Sequence, residues 1–371
     1  MSSAPPPEVA ALAVEVPPKL AFDPKKHINH VPPKKIWTMT EIERGNQGVS
    51  PNAVSEPFSL FTEEAVKQMR AEILSKPVLE NCTYQSNLSP CQLRGYAPKY
   101  APFVYDAWHS PQVLEIVSKI AGIDLVPVMD FEIGHINISV HSKEAQEEAK
   151  RAIAEHKSRQ ADEGVSGCPW EDDTPIVGWH TDSYPFVCVL MLSDCSQMIG
   201  GETALRKGSG DIMKVRGPGV GNAVVLQGRY IEHQALKAYG GQERITMVTS
   251  FRPKSPLVQD DTILDTVRAV SNLPDLYRDY TEYRLELVEE RVRAQLKKIR
   301  ERKNRGHKFD TPGNKAFLRE QKQFFESMLK ALVDEDKVIP GYTDSSHLIS
   351  PDLKERDEFF SKFYVATRNK K

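Results

Sequence analysis

The sequence predicts a mainly β core flanked by helices. Residues 123–140 are dense in β-branched side chains, and residues 176–252 break into short apolar runs separated by Gly-rich turns. Helical patterns lie before and after them. Turn signals recurring every roughly 8–12 residues mark a β-sandwich or barrel rather than alternating β/α units. With 371 residues, the chain suffices for one large core with appended helices or for two domains. Its 40% hydrophobic and 27% charged residues fit a soluble globular protein. A formal net charge of −2 argues against nucleic-acid and membrane partners.

In chain order, residues 1–35 are Pro-rich, end in HVPPKK and read as an extended arm on the surface. Residues 55–75, SEPFSLFTEEAVKQMRAEILS, predict a helix with Thr62 as its cap and Ala65, Met69 and Ile73 on one face. A second helix is predicted over 110–122, where Pro111 follows Ser110 and Gly122 is the stop. The run 123–140 reads as strands. The polar insert 141–164 has a narrow apolar stripe and predicts an exposed helix or flap. The stretches IVGWHTDS, FVCVLMLS, GGETALRKGSGDIMKV, GNAVVLQGRYIEHQAL and RITMVTSFRP supply the remaining strands of a core domain over 36–256.

A helical extension follows over 257–371. Leu285, Val288, Val292, Leu296 and Ile299 form one helix stripe. After breaks at Gly306 and Pro312-Gly313, Phe317, Phe324, Met328 and Leu332 form another. Two such helices form an antiparallel pair that packs on the barrel or on a second subunit, the latter giving a homodimer. The loop 338–351, with His347, is placed to reach back over the barrel mouth.

Five cysteines, an odd number without a CxxC pair, argue against a disulfide framework and for a reducing compartment. The N-terminus lacks a basic segment leading into an apolar one, and no run of about 18 apolar residues occurs. The C-terminal TRNKK carries no lipidation signal. Cytoplasm is the expected location.

The chemistry concentrates in GWHTDSYPFVCVLML, 178–192. Alternation puts His180 and Asp182 on one strand face, about 6–7 Å apart, so both can converge on one ion. A lone His-x-Asp is a weak signal, because a single His is commonly structural. His233, 53 residues downstream in RYIEHQAL, supplies a third ligand. Arg244 follows 11 residues later and shares a strand face with Thr246, so the two together suit a carboxylate.

His-x-Asp, a distal His and then Arg-x-Thr resembles the Fe(II)/2-oxoglutarate-dependent oxygenase superfamily over roughly 123–256, with a flavour of fungal metabolite-tailoring members. Gly200-Gly201-Glu202-Thr203 and Gly221-Asn222-Ala223 are similar to turns of its double-stranded β-helix, a jelly-roll or cupin-like core. The resemblance implies that His180, Asp182 and His233 bind Fe(II). Arg244 and Thr246 would bind 2-oxoglutarate, with Asn137 a further candidate contact. It also implies that O2 is consumed, that the cosubstrate is decarboxylated to succinate, and that hydrogen is abstracted from a substrate. Two His and one carboxylate leave three positions open on such an ion. The retained Asp182 argues against halogenation, since family members that halogenate lack the carboxylate ligand. The expected substrate is a small metabolite, amino-acid-like or a natural-product intermediate, undergoing hydroxylation, desaturation or cyclisation. The alternatives are a non-catalytic β-barrel binding protein and a cupin-like metalloenzyme without a 2-oxo acid.

Other residues are weaker candidates. Tyr184 serves substrate contact or core packing; His135, Arg206 and Gln227 are polar residues within the β region. Cys188 and Cys195 read as small core residues. GPGVGN lacks the Lys-Ser/Thr of a phosphate loop. The basic run 297–308 reads as a solvated helix face.

Overall fold

Alternation along the strands decides how this core is built. The computed structural model describes residues 2–87, 89–140, 147, 151, 175–194, 199–215, 219–236, 238–239, 243–344, 346–351 and 353. The core strands are β1 (His135–Val140), β2 (Pro175–His180), β3 (Phe186–Met191), β4 (Thr203–Arg206), β5 (Ile212–Val215), β6 (Asn222–Leu226), β7 (His233–Leu236) and β8 (Glu243–Pro253). One antiparallel sheet runs β6-β3-β8-β1, the other β5-β4-β7-β2. Phe58–Phe61 and Ile28–Val31 extend the first sheet beyond β6; Gln92–Leu93 and Thr83–Tyr84 extend it beyond β1.

The outer face of the larger sheet is apolar. Ile136 and Ile138 of β1, Cys188 and Leu190 of β3, and Ile245 and Met247 of β8 are buried there. Helices α1 (Glu63–Ile73), α2 (Pro102–His109) and α3 (Pro111–Ala121) cover them with Met69, Trp108 and Val117. Each such side chain contributes about 1.5–3 kcal/mol by burial, so this layer supplies much of the stability. Thr62 caps α1 by accepting from the Ala65 amide. Gly122 ends α3 at φ +73°, a left-handed position that suits glycine.

The inner face is divided. Val187 of β3 and Val224 and Leu226 of β6 pack on Leu205 of β4 and Val215 of β5, filling that half with core. By alternation, β8 and β1 turn largely polar residues to the face opposite the helices: His135, Asn137 and Ser139 on β1, and Arg244, Thr246 and Ser250 on β8. The interior is therefore solid on one side and polar on the other.

Helix α4 (Leu273–Asn304) and helix α5 (Thr311–Ala331) pack against the barrel through Tyr280, Tyr283, Leu287, Phe324 and Met328. Buried Arg284 lies between them, its guanidinium 3.5 Å from the Phe324 ring centroid. It donates to Ser327 Oγ at 2.6 Å and to the Asp260 carbonyl at 3.1 Å. Among the described residues, no helix is long and apolar enough to cross a membrane.

Several sequence expectations shift. Residues 58–61 of the predicted 55–75 helix form a strand, because FSLF pairs with β6 and with Ile28–Val31 before the Thr62 cap. Pro111 opens α3 as expected, but Pro312-Gly313 is no break: it lies in the first turn of α5, where Asp310 caps the Gly313 amide. The stripe Leu285, Val292 and Leu296 is exposed, and the buried face of α4 is Leu276, Tyr280, Tyr283 and Leu287. The insert 141–164 lies outside the described residues apart from Glu147 and Arg151. Cys195 lies outside them as well.

Candidate metal centre

β7 pairs with β2 so that His233 stands directly opposite His180. The two rings lie 4.3 Å apart, centroid to centroid. Asp182, just past the end of β2, brings Oδ1 to 3.8 Å from His180 Nε2 and 3.7 Å from His233 Nε2. One ligand atom from each residue lies within 4.8 Å of the others.

The second ring nitrogens fix the tautomers. His180 Nδ1 is 2.7 Å from the Gly178 carbonyl, and His233 Nδ1 is 2.8 Å from the Ile231 carbonyl. A carbonyl only accepts, so each Nδ1 donates its proton and each Nε2 presents a lone pair to the shared point. Burial, reinforced by the neighbouring His233, pushes the His180 pKa down to about 4, which keeps the ring neutral and able to ligate. Asp182 Oδ2 is buried without a hydrogen-bond partner among the described residues. An orphaned carboxylate oxygen beside two inward lone pairs fits a divalent cation.

The turn 228–230 holds Asp182 in place. The Asp182 amide donates to the Gly228 carbonyl at 3.0 Å. A Cβ at Gly228 would sit 1.8 Å from Asp182 Oδ2, so only glycine lets the turn come this close. Arg229 donates to Thr181 Oγ1 at 3.3 Å and to the Asp261 carbonyl at 3.0 Å, and Tyr230 donates to Asp261 Oδ2 at 2.8 Å. Glu232, the residue before His233, pairs with Arg44 at 2.9 Å and accepts from Ser350 Oγ at 2.6 Å.

The other candidates fall as follows. Arg244 is half-buried near the start of β8, opposite Ser139. Neighbouring Glu243 pairs with Arg70 of α1 at 2.6 Å, which pins that strand end. Thr246 is buried and stands in register with Asn137 on one side and Met191 on the other. Gln227 braces the 48–52 loop, accepting from the Val49 amide and donating to the Asn52 carbonyl. Arg206 approaches Glu232 at 3.6 Å. His347 pairs with Asp265 at 2.8 Å. Burial pushes the Cys91 thiol up to about 12 and the Cys82 thiol to about 11, and raises Cys188 further, so none of these is a ready nucleophile.

A buried polar chain that sequence reasoning missed adjoins this wall. Glu132 pairs with Arg94, both almost fully buried. Arg94 also donates to His135 Nδ1 at 3.0 Å, which leaves the His135 proton on Nε2, 3.1 Å from Gln92 Oε1. Gln92 is in register with Asn137. The separation of 38 positions between Arg94 and Glu132 carries no pattern that announces the pair. Gly228 did carry a signal: a glycine just beyond an apolar strand, five residues before a candidate ligand.

Burial and then Arg94 hold the His135 pKa well below its ordinary 6.5. Its folded value lies below its unfolded one, so the unfolded chain takes up the proton first. Stability contributed by neutral His135 is present above pH 6.5 and declines as pH falls below it. Denaturant titrations of metal-free protein should show a shallower acid loss for His135→Gln than for the wild type. Equal slopes would refute this assignment.

A cavity of about 1150 Å³ is lined by residues that include Thr181, Glu232, Arg291, Gln321 and Phe324; His180, Asp182 and His233 are not among its lining residues.

No protein-family model matches the chain, and no curated protein matches its sequence. Solved structures similar to it include a 2OG-Fe(II) oxygenase family oxidoreductase from Burkholderia pseudomallei, at 12% identity and TM-score 0.29, covering 46% of this chain and 64% of that one. The chain thus spans just under two thirds of that protein's length. A prolyl-4-hydroxylase from Pseudomonas putida matches at 14% identity and TM-score 0.30, covering 58% and 98%. SnoN, a non-heme alpha ketoglutarate dependent epimerase from nogalamycin biosynthesis, matches at 10% identity and TM-score 0.35, covering 58% and 82%. At identities and TM-scores of this size the similarity carries no functional argument.

Proposed function

We propose that this protein is a non-haem Fe(II)/2-oxoglutarate-dependent oxygenase acting on a small metabolite. The observation that carries the reading is the convergence of His180 Nε2, His233 Nε2 and Asp182 Oδ1, with both Nδ1 protons given to backbone carbonyls and Asp182 Oδ2 left orphaned. The strand orders β6-β3-β8-β1 and β5-β4-β7-β2 support reading the core as a double-stranded β-helix.

Fe(II), bound with 2-oxoglutarate and O2, supplies oxidative decarboxylation to succinate and CO2 and the oxidising power to remove a substrate hydrogen. The chain's own part is positional. His180, Asp182 and His233 would hold the ion, and three protein ligands would leave positions for cosubstrate and O2. Arg244 is the proposed partner of the far carboxylate, and Thr246 and Asn137, adjacent across β8 and β1, line the same wall. The apolar cluster of Val187, Leu205, Val224 and Leu226 would help to keep water from the centre. Asp182 as a third ligand favours hydroxylation, desaturation or cyclisation over halogenation.

Anaerobic addition of Fe(II) and 2-oxoglutarate should produce the weak visible charge-transfer band of a metal-chelated 2-oxo acid. His180→Ala should abolish it, and Arg244→Leu should demand far more 2-oxoglutarate. A well-folded protein that takes up iron without any 2-oxoglutarate-dependent band would point to a cupin-like metalloenzyme. One that takes up no iron would point to a binding protein. Screening succinate release over amino acids and natural-product intermediates then identifies the substrate.

A further inference from the structure

Helix α4 has two apolar faces, and the described chain covers one. Its buried face packs on the barrel through Leu276, Tyr280, Tyr283 and Leu287. On the far side, Leu285, Val292 and Leu296 are 47%, 39% and 43% exposed, at spacings of one helix face. Leu318, Phe325 and Leu329 repeat the same spacing on α5 and are also exposed. An open groove of about 750 Å³, lined by Tyr277, Thr281, Leu285, Leu332 and Val333, joins the two helices. Exposed apolar residues grouped along a helix mark a candidate interaction site, here with charged neighbours, since Arg278, Glu282, Asp334 and Glu335 also line the groove.

The charge distribution selects the occupant. Residues 273–290 hold six acidic and two basic side chains, whereas 291–305 hold eight basic and one acidic. Exposed Glu282 precedes the stripe, exposed Glu289 lies within it and pairs with Arg293 at 2.6 Å, and exposed Arg300 and Lys303 follow it. A parallel neighbour would set like charge on like. An antiparallel second copy sets acid on base at both ends, and a two-fold axis lets one self-complementary surface serve both subunits. Paired antiparallel over residues 282–303, two copies of α4 would run together for about 30 Å.

We propose that the exposed faces of α4 and α5 form an isologous, antiparallel dimer interface with a second copy of this chain. The observations behind it are independent of the metal centre. Sedimentation velocity over a concentration series should show a monomer–dimer equilibrium for the wild type. Val292→Glu with Leu296→Glu should weaken it at least about 100-fold. Helical circular dichroism should be unchanged, because both side chains are exposed. Glu282→Lys with Glu289→Lys should also weaken the dimer, and adding Arg300→Glu and Lys303→Glu to that chain should restore it. A wild type that stays monomeric at high micromolar concentration overturns the proposal, as does a dimer indifferent to the Val292 and Leu296 changes. Failure of the second pair to restore association overturns the antiparallel arrangement.

Discussion

Gly228→Ala should strip the protein of metal affinity while leaving the fold in place. The added methyl would stand 1.8 Å from Asp182 Oδ2 and 2.7 Å from its Cγ. The side chain is the part that can yield, so the carboxylate rotates away from the two imidazoles. Changes beside a ligand typically weaken metal binding about 10–100-fold, and displacing the ligand itself places this variant at the upper end or beyond. Competition with a metallochromic chelator measures the loss, and thermal unfolding of the metal-free proteins tests whether the fold survives. A Gly228→Ala protein that binds Fe(II) as tightly as the wild type would show that Asp182 is not held against this turn as described.

The largest stability effect should come from Arg94→Leu. Glu132 is 1% exposed, and Arg94 is its ion-pair partner. Removing one partner strands a buried charge at a cost of about 3–5 kcal/mol, a large fraction of a typical domain's stability. The same change deprives His135 Nδ1 of its donor. Replacing both partners, Arg94→Leu with Glu132→Leu, should cost less than the single change, because no buried charge remains. Urea titrations with linear extrapolation give both numbers. A single variant losing less than about 1 kcal/mol, as an exposed pair would, contradicts this account.

What was legible in the sequence follows from how local each signal is. The β core, α3 and the Thr62 cap are written in short-range patterns of apolar residues and capping residues. His180 and Asp182 are two positions apart, and His233 was visible only because its Arg244 neighbour completed a spacing. The exposed stripe on α4 misled because Tyr280 and Tyr283, which pack on the barrel, and Arg284, which lies between α4 and α5, look amphipathic or charged. An arginine stacked on Phe324 and hydrogen-bonded to Ser327 is at home in a core, but its partners lie about 40 residues away. Arg94–Glu132 and Arg44–Glu232 are likewise tertiary facts, set by which distant segments become neighbours.

Glu232 has a bearing on the order in which the molecule matures. Its carboxylate is shared by Arg44, 188 positions earlier, and Ser350, 118 positions later, immediately beside His233. Contacts of such separation form late, since long loops must close before they contribute. A ribosome delivering the chain from its N-terminus therefore exposes His180, Asp182 and His233 well before the clasp on Glu232 can close. Stable iron loading is expected to follow synthesis of residue 350, and nascent chains stalled short of it should exchange their metal quickly.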